Sequence, residues 1–174
     1  MEIFYTEKTE FNKKHSKEEL SQYADVEYKH EKRFYEHSIG RYLIKTIAEE
    51  QYGIKDTEIL TDEKGKPYFK NNDLYFSISH TSDIVMVCFD KHPCGIDIEQ
   101  MKERDFEKLG QYYKTEFNTK EDFYKFWTLK EASYKLDSPP ADIYALKLSD
   151  RYYITVVSTE KFETAPTLKK YVRK

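Results

Sequence analysis

A chain of 174 residues with 29 Lys and Arg against 32 Asp and Glu, a formal charge of −3, carries no general electrostatic footprint for nucleic acid. Its 16 Tyr, 11 Phe and single Trp supply enough bulk for one domain, or for two small halves sharing a core, which excludes disorder throughout. No apolar run is long enough to span a bilayer, MEIFYTEKTE lacks the regions of a secretory leader, and two cysteines cannot build a disulfide framework, so a cytoplasmic protein with reduced thiols is expected.

MEIFYT reads as an edge strand, followed by a polar, mobile stretch that includes NKKHSKEEL. From about Lys32 to Glu50, Phe34, Ser38, Leu43 and Ile47 recur at roughly helical spacing, and Gly53 supplies a stop. TDEKGKPYF reads as a loop, because Gly65 and Pro67 punctuate it. In LYFSIS (74–79), Leu74, Phe76 and Ile78 alternate with Tyr75, Ser77 and Ser79, the period of a half-buried strand. HTSD then turns it into IVMVCF, predicting a hairpin, and a third strand, CGIDIEQ, follows Pro93.

Polar helical material occupies about 102–117, and a stronger helix runs from about Lys120 to Leu136, with Phe126, Leu129, Ala132 and Leu136 directed to the core. DIYALKL and RYYITVVS flank SDR as a second hairpin. Each half thus offers a helix and then a hairpin. The expected architecture is α+β, with two similar helix-plus-antiparallel-sheet lobes, 1–92 and 93–174, packed as a pseudo-dimer.

Two positions apart on a strand, Asp97 and Glu99 share a face while Ile96 and Ile98 take the other, and Gly95 admits a close neighbour. A divalent cation with a preference for oxygen, such as magnesium, would offset the repulsion between the two acids; a solvated edge strand would tolerate them equally. In FWTLKEASYK, Trp127, Glu131 and Lys135 lie four residues apart on one helix face, with Lys130 at its margin. That spacing suits an exposed Glu131–Lys135 pair, or a third oxygen ligand followed by a cation for phosphate. His80, ending its strand, and Lys66, in GKPYF, are either ordinary turn and loop residues or anion contacts.

Taken in order, GKPYF (65–69), LYFSISHTSD (74–83), GIDIE (95–99) and FWTLKEASYK (126–135), with FEKLGQYYKTEF between the last two, resemble the 4′-phosphopantetheinyl transferases of the two-lobed Sfp type over about residues 32–158. The resemblance implies transfer of the phosphopantetheine arm of coenzyme A to a serine hydroxyl of an apo acyl or peptidyl carrier protein, with release of adenosine 3′,5′-bisphosphate. It implies a monomer with no nucleic-acid or membrane partner. Carried over position by position, it makes Asp97, Glu99 and Glu131 magnesium ligands, with Glu131 also the base for the serine. Lys135 and His80 meet phosphates of coenzyme A, and Lys66 lies near its nucleotide end. Of Lys29, Lys32, Arg33 and Arg41, the last ranks as a contact for the 3′-phosphate.

Two features depart from the family pattern: LDSPPADIYALKL stands where a glycine-containing loop is usual, and the chain is compact for the two-lobed type. The basic tail LKKYVRK is a possible attractor for an acidic carrier. Two rival readings are a non-catalytic carrier-binding module and a magnesium-dependent pyrophosphate hydrolase.

Overall fold

The computed structural model describes residues 1–172. Strand β1 (Glu2–Glu7) buries Ile3, Phe4 and Thr6 and is not an edge. It pairs antiparallel with Ile84–Asp90, and in parallel with Thr167–Lys170 from the far end of the chain. The tail strand covers the edge that the sequence reading left open. Its lysines are spent in doing so: Lys169 pairs with Glu2, and Lys170 lies 2.8 Å from both Glu7 and Glu10. Of the tail read as an attractor for a carrier, Arg173 and Lys174 lie outside the described residues.

The stretch expected to be mobile is folded into two short helices, α1 (Lys8–Lys14) and α2 (Lys17–Ser21). Ser16 and Glu19 form a reciprocal capping box at the start of α2, and Phe11 and Leu20 anchor the pair in the core. Helix α3 (Glu31–Tyr52) follows, closed by Gly53 at a left-handed φ of 68°, a conformation that suits a residue without Cβ. The segment TDEKGKPYF is more than a loop: β2 (Ile59–Thr61) and β3 (Pro67–Phe69) pair across Gly65, whose φ is 85°.

β4 (Tyr75–His80) and β5 (Ile84–Asp90) make the expected hairpin, and the first sheet runs β4-β5-β1-β9, with β9 the tail strand Thr167–Lys170. β5 is buried on both faces, so its alternation sorts side chains between two cores. Val85, Val87 and Phe89 pack with Leu43, Ile44 and Ile47 of α3. Ile84, Met86 and Cys88 face a second sheet and meet Ile96, Ile98, Ile154 and Val156. The two halves of the chain are therefore joined by a continuous apolar layer.

The second sheet, β6-β8-β7, comprises β6 (Cys94–Gln100), β7 (Asp142–Leu148) and β8 (Tyr152–Ser158), all antiparallel. Between β6 and β7 come α4 (Phe106–Tyr113) and α5 (Lys120–Leu136), the latter started by a Thr119/Asp122 capping box. The buried line of α5 is Tyr124, Thr128, Ala132 and Leu136, while Phe126 and Leu129, expected in the core, are only half-buried. Thr128 is tolerated inside because its hydroxyl donates to Tyr124 O and meets Thr155 Oγ1 at 2.7 Å. The cysteines are free thiols, Cys88 and Cys94, with their sulfurs 3.7 Å apart in the layer between the sheets. Among the described residues no helix is long and apolar enough to cross a membrane.

Candidate functional site

β6 pairs on one side with β8, which leaves the polar groups of its other edge to find partners. Ser77 and Ser79 of β4 supply them, their hydroxyls accepting from the backbone N–H groups of Ile96 and Ile98, each at 3.2 Å. Ile96 O accepts from Lys135 Nζ at 2.9 Å. The serines that pattern alone assigns to a polar strand face are in fact buried, and they stitch one sheet to the other.

Helix α5 crosses β6 at Gly95. A Cβ built there would stand 2.1 Å from Ala132 O, so only glycine permits this approach. The closeness brings Lys135 Nζ to 2.8 Å from Asp97 Oδ1, which also accepts from the Ser79 hydroxyl at 2.8 Å. One and two turns earlier on the same face stand Glu131 and Trp127, and the indole N–H donates to Glu99 Oε1 at 3.2 Å. Glu131 is half-buried and does not pair with Lys135. Lys130 lies 5.0 Å from the ring centres of both Tyr113 and Trp127, a cation–π arrangement.

This acidic strand suits a hard cation. Asp97 is buried, and its Oδ2 has no hydrogen-bond partner. Burial and the neighbouring Asp97 charge together push the Glu99 carboxyl above its ordinary range, the mark of two acids lacking a full counter-charge. Among the described residues, no three Asp, Glu, His or Cys side chains are gathered closely enough to hold a metal by themselves. Asp97 and Glu99 thus present oxygens at one place, and Glu131 does not close a ready-made cage with them.

Asp97 and Lys135 open onto a cavity of about 340 Å³ that is also lined by His80, His37, Arg41, Glu36 and Asp25. The structure therefore unites His80, Arg41, Asp97 and Lys135. His80 Nδ1 lies 3.6 Å from Glu36 Oε1, and Arg41 pairs with Asp25 at 2.5 Å. Glu36 is a buried hub that also meets Lys8 at 2.7 Å and Lys32 at 3.9 Å. Burial opposes its ionisation, but the Lys8 hydrogen bond and the charges of His80, Lys8 and Lys32 outweigh that and hold it below the usual carboxylate range. His80 and His37 are exposed at their surfaces, but partial desolvation by the surrounding walls lowers both below the ordinary histidine range, an effect that nearby carboxylates oppose.

Lys66 lies outside this cavity and lines an adjoining groove of about 200 Å³ with Lys64, Tyr134, Lys135 and Asp137; its Nζ donates to Cys94 O at 3.3 Å. Asp137 ends α5 at a left-handed φ of 61°, the conformation glycine holds most readily, and Lys64 pairs with it at 2.6 Å across the groove. Lys29, Lys32 and Arg33 do not line either space.

Sequence reasoning placed Trp127 on the face of Glu131 and Lys135 but missed its bond to Glu99, and it missed Ser79, Asp25, His37 and Glu36 as neighbours of these groups. Ser79 and Trp127 stand inside the motifs quoted above, so their proximity was available. Glu36 was not: a lone acid on a helix gives no sign that it will be buried against a histidine 44 positions later.

No family model matches the chain. A 4′-phosphopantetheinyl transferase of Bacillus subtilis is 30% identical over 135 residues, covering 68% of this chain and 60% of the relative. The 4′-phosphopantetheinyl transferase gsp of Aneurinibacillus migulanus is 32% identical over 126 residues, 66% of this chain and 53% of the relative. The 4′-phosphopantetheinyl transferase Sfp of Bacillus subtilis strain 168 is 32% identical over 127 residues, 63% and 57% respectively. The chain spans less than two thirds of the length of these curated relatives.

Proposed function

Since this chain belongs to the 4′-phosphopantetheinyl transferase family, we propose that it moves the 4′-phosphopantetheine group of coenzyme A to a serine hydroxyl of an apo acyl or peptidyl carrier protein, acting in the cytoplasm as a monomer. The observation that carries the reading is the Asp97–Lys135 contact at the mouth of a cavity, beside Glu99 and with Asp97 Oδ2 unpartnered. We read 1–92 and 93–174 as its two lobes, the second lending strand Thr167–Lys170 to the sheet of the first, with the site on their seam.

In the reaction, the serine oxygen bonds to the phosphorus carrying pantetheine, the bond from that phosphorus to the bridging oxygen breaks, and adenosine 3′,5′-bisphosphate leaves with the electron pair. Asp97 and Glu99, joined by Glu131, would hold a magnesium ion, which when bound offsets charge on the pyrophosphate. Lys135 is held by Ile96 O and Asp97 so that its charge faces the cavity, where it stabilises anionic phosphate oxygens. Glu131 takes the serine proton. Trp127 fixes the orientation of Glu99 through its indole N–H. His80 contacts a phosphate of the donor from the cavity, and Lys66 lies near its nucleotide end from the adjoining groove.

The test is intact-protein mass spectrometry of a panel of apo carriers incubated with the protein, coenzyme A and magnesium, beside a Glu131→Ala control. A gain of one phosphopantetheine on a carrier, absent in the control, is expected. Cleavage of coenzyme A without any modified carrier would replace transfer by hydrolysis, and no reaction with fatty-acid or peptide-type carriers would overturn the reading.

A further inference from the structure

The phosphoryl chemistry uses neither cysteine, yet the two sit where the chain passes from one sheet to the other. Cys88 lies inside β5, paired with Ile3 on one side and Ser77 on the other, and Cys94 opens β6 opposite Ser158. Both are free and wholly buried, and the Cys88 thiol donates to Cys94 Sγ across 3.7 Å. Two sulfurs already in contact have only to close to about 2.05 Å to bond. The turn between them, 90–93, is exposed at Lys91 and His92. His92 N–H donates to Asp90 Oδ1 at 3.0 Å, Thr159 N–H to Pro93 O at 3.1 Å, and Lys66 Nζ to Cys94 O at 3.3 Å. Asp90, Lys91, His92 and Ser158 also wall a cavity of about 330 Å³ that shares no residue with the one beside Asp97.

We propose that Cys88 and Cys94 form a reversible disulfide in the presence of a low-molecular-weight disulfide, a bond that fastens one sheet to the other. In the closed core Cys94 is not a nucleophile, because the Cys88 hydrogen bond and burial push its thiol well above the ordinary range. Attack therefore waits for the turn to open, which frays the end of the β6–β8 ladder at Cys94 and Ser158 and parts Thr159 from Pro93 while the rest of the fold stays closed. Cys94 then loses its proton to water, and its sulfur bonds to one sulfur of the reagent, whose other sulfur leaves as a thiolate. When the turn recloses, Cys88 loses its proton in turn and bonds to Cys94 Sγ, expelling the second thiolate. The two protein thiols give up two protons and two electrons, and the reagent disulfide is reduced to two thiols. Excess thiol runs the exchange backwards. None of this depends on the transferase reading.

The test is oxidation of the full chain by 2-hydroxyethyl disulfide without denaturant, followed by intact-mass measurement and peptide mapping. The expected product has lost two hydrogens, carries a Cys88–Cys94 crosslink that dithiothreitol reverses, and unfolds at a urea midpoint about 0.5–1 M above that of the reduced chain. In Cys88→Ala the reagent should stay on Cys94 as a mixed disulfide. Cys94→Ala should take up at least about tenfold less, since Cys88 lies inside a strand paired on both sides. The rate separates local opening from unfolding of the whole chain: 1 M urea should change it less than about twofold, where global unfolding would speed it tenfold or more. Should either variant fail to fold, the parent's crosslink and its rate decide the matter. No crosslink, a rate that follows global unfolding, reagent carried by Cys88 in preference to Cys94, or a midpoint lowered by oxidation overturns the inference.

Discussion

Lys135 Nζ and Asp97 Oδ1 stand 2.8 Å apart across the contact between helix α5 and strand β6, the lysine partly exposed and the aspartate buried. Removing the lysine alone strands a buried carboxylate. Fully buried pairs lose about 3–5 kcal/mol when one partner is deleted, and because Lys135 keeps 28% of its side chain exposed we expect about 2–3 kcal/mol for Lys135→Ala. Chemical denaturation should show the double variant Asp97→Asn/Lys135→Ala recovering a large part of that loss. A double variant no more stable than Lys135→Ala would mean that the lysine acts through packing instead.

Gly95 sets the distance over which that contact works. An alanine Cβ would fall 2.1 Å from Ala132 O, a backbone atom that moves only if the helix moves. Gly95→Ala should cost roughly 1–3 kcal/mol, the range for overpacking, and should lower carrier modification further than the stability loss explains, because the displaced helix carries both Glu131 and Lys135. Full activity at a temperature where the variant is folded would contradict this account of the glycine.

Ser77 and Ser79 each take a backbone N–H on the open edge of β6. Either serine changed to alanine leaves a buried donor unmet, which costs about 1–3 kcal/mol. The two differ in a second respect: Ser79 also donates to Asp97, and Ser77 does not. Ser79→Ala should therefore lower activity as well as the denaturation midpoint, while Ser77→Ala lowers the midpoint with little further effect. Equal activity losses at matched stability would remove Ser79 from the site.

The order of strands and helices was readable because the signals were local. Gly53 stops a helix with its own φ, and Thr119 with Asp122 starts one within four residues. The short helices over 8–21 and the β2–β3 pair escaped although their signals, the Ser16–Glu19 box and Gly65, are local; the rest of what escaped depended on partners far along the chain. MEIFYT is an interior strand only because Thr167–Lys170 returns to it, and no local pattern in either segment announces that pairing. Ser77 and Ser79 look solvent-facing by alternation, yet β6 needs their hydroxyls. At the site, GIDIE and KEASYK, with the tryptophan one turn before the latter, carry the groups that the fold brings into contact, Asp97 with Lys135 and Glu99 with Trp127. The ion pairs of the cavity wall were illegible, since Asp25 and Glu36 acquire meaning only once α3 lies beside β4.

Glu99 should make stability depend on pH. Its carboxyl is raised above the ordinary value of 4.5 by burial and by Asp97, so the folded state holds its proton more tightly than the unfolded chain does. The corresponding stabilisation is fully present below the unfolded pKa and is lost as pH rises through the folded one. Above that window the folded protein carries a strained charge. Glu99→Gln keeps an acceptor for the Trp127 indole and removes that charge, so in chelator it should be more stable than the parent at neutral pH, with the advantage shrinking as the pH falls toward 4.5. Melting curves at several pH values check this; an advantage independent of pH would exclude the titration of Glu99 as its cause.

The same strained pair gives a direct handle on the metal. If a divalent cation binds the folded protein through Asp97 and Glu99 and has no site in the unfolded chain, magnesium at about 100 times its dissociation constant adds about 2.7 kcal/mol of stability. For a chain of this size that corresponds to a rise in melting temperature of roughly 5–10 °C. Asp97→Asn should abolish the rise, because it removes the charge from the buried carboxyl whose Oδ2 is otherwise unpartnered. Glu131→Ala should reduce it less, since Glu131 forms no ready-made cage with the other two acids. Calcium gives a useful contrast, being larger and content with more oxygen ligands than two or three side chains supply. A melting temperature unmoved by magnesium, in a protein that nevertheless transfers phosphopantetheine, would mean that the ion arrives only with the donor, with its remaining ligands drawn from the pyrophosphate.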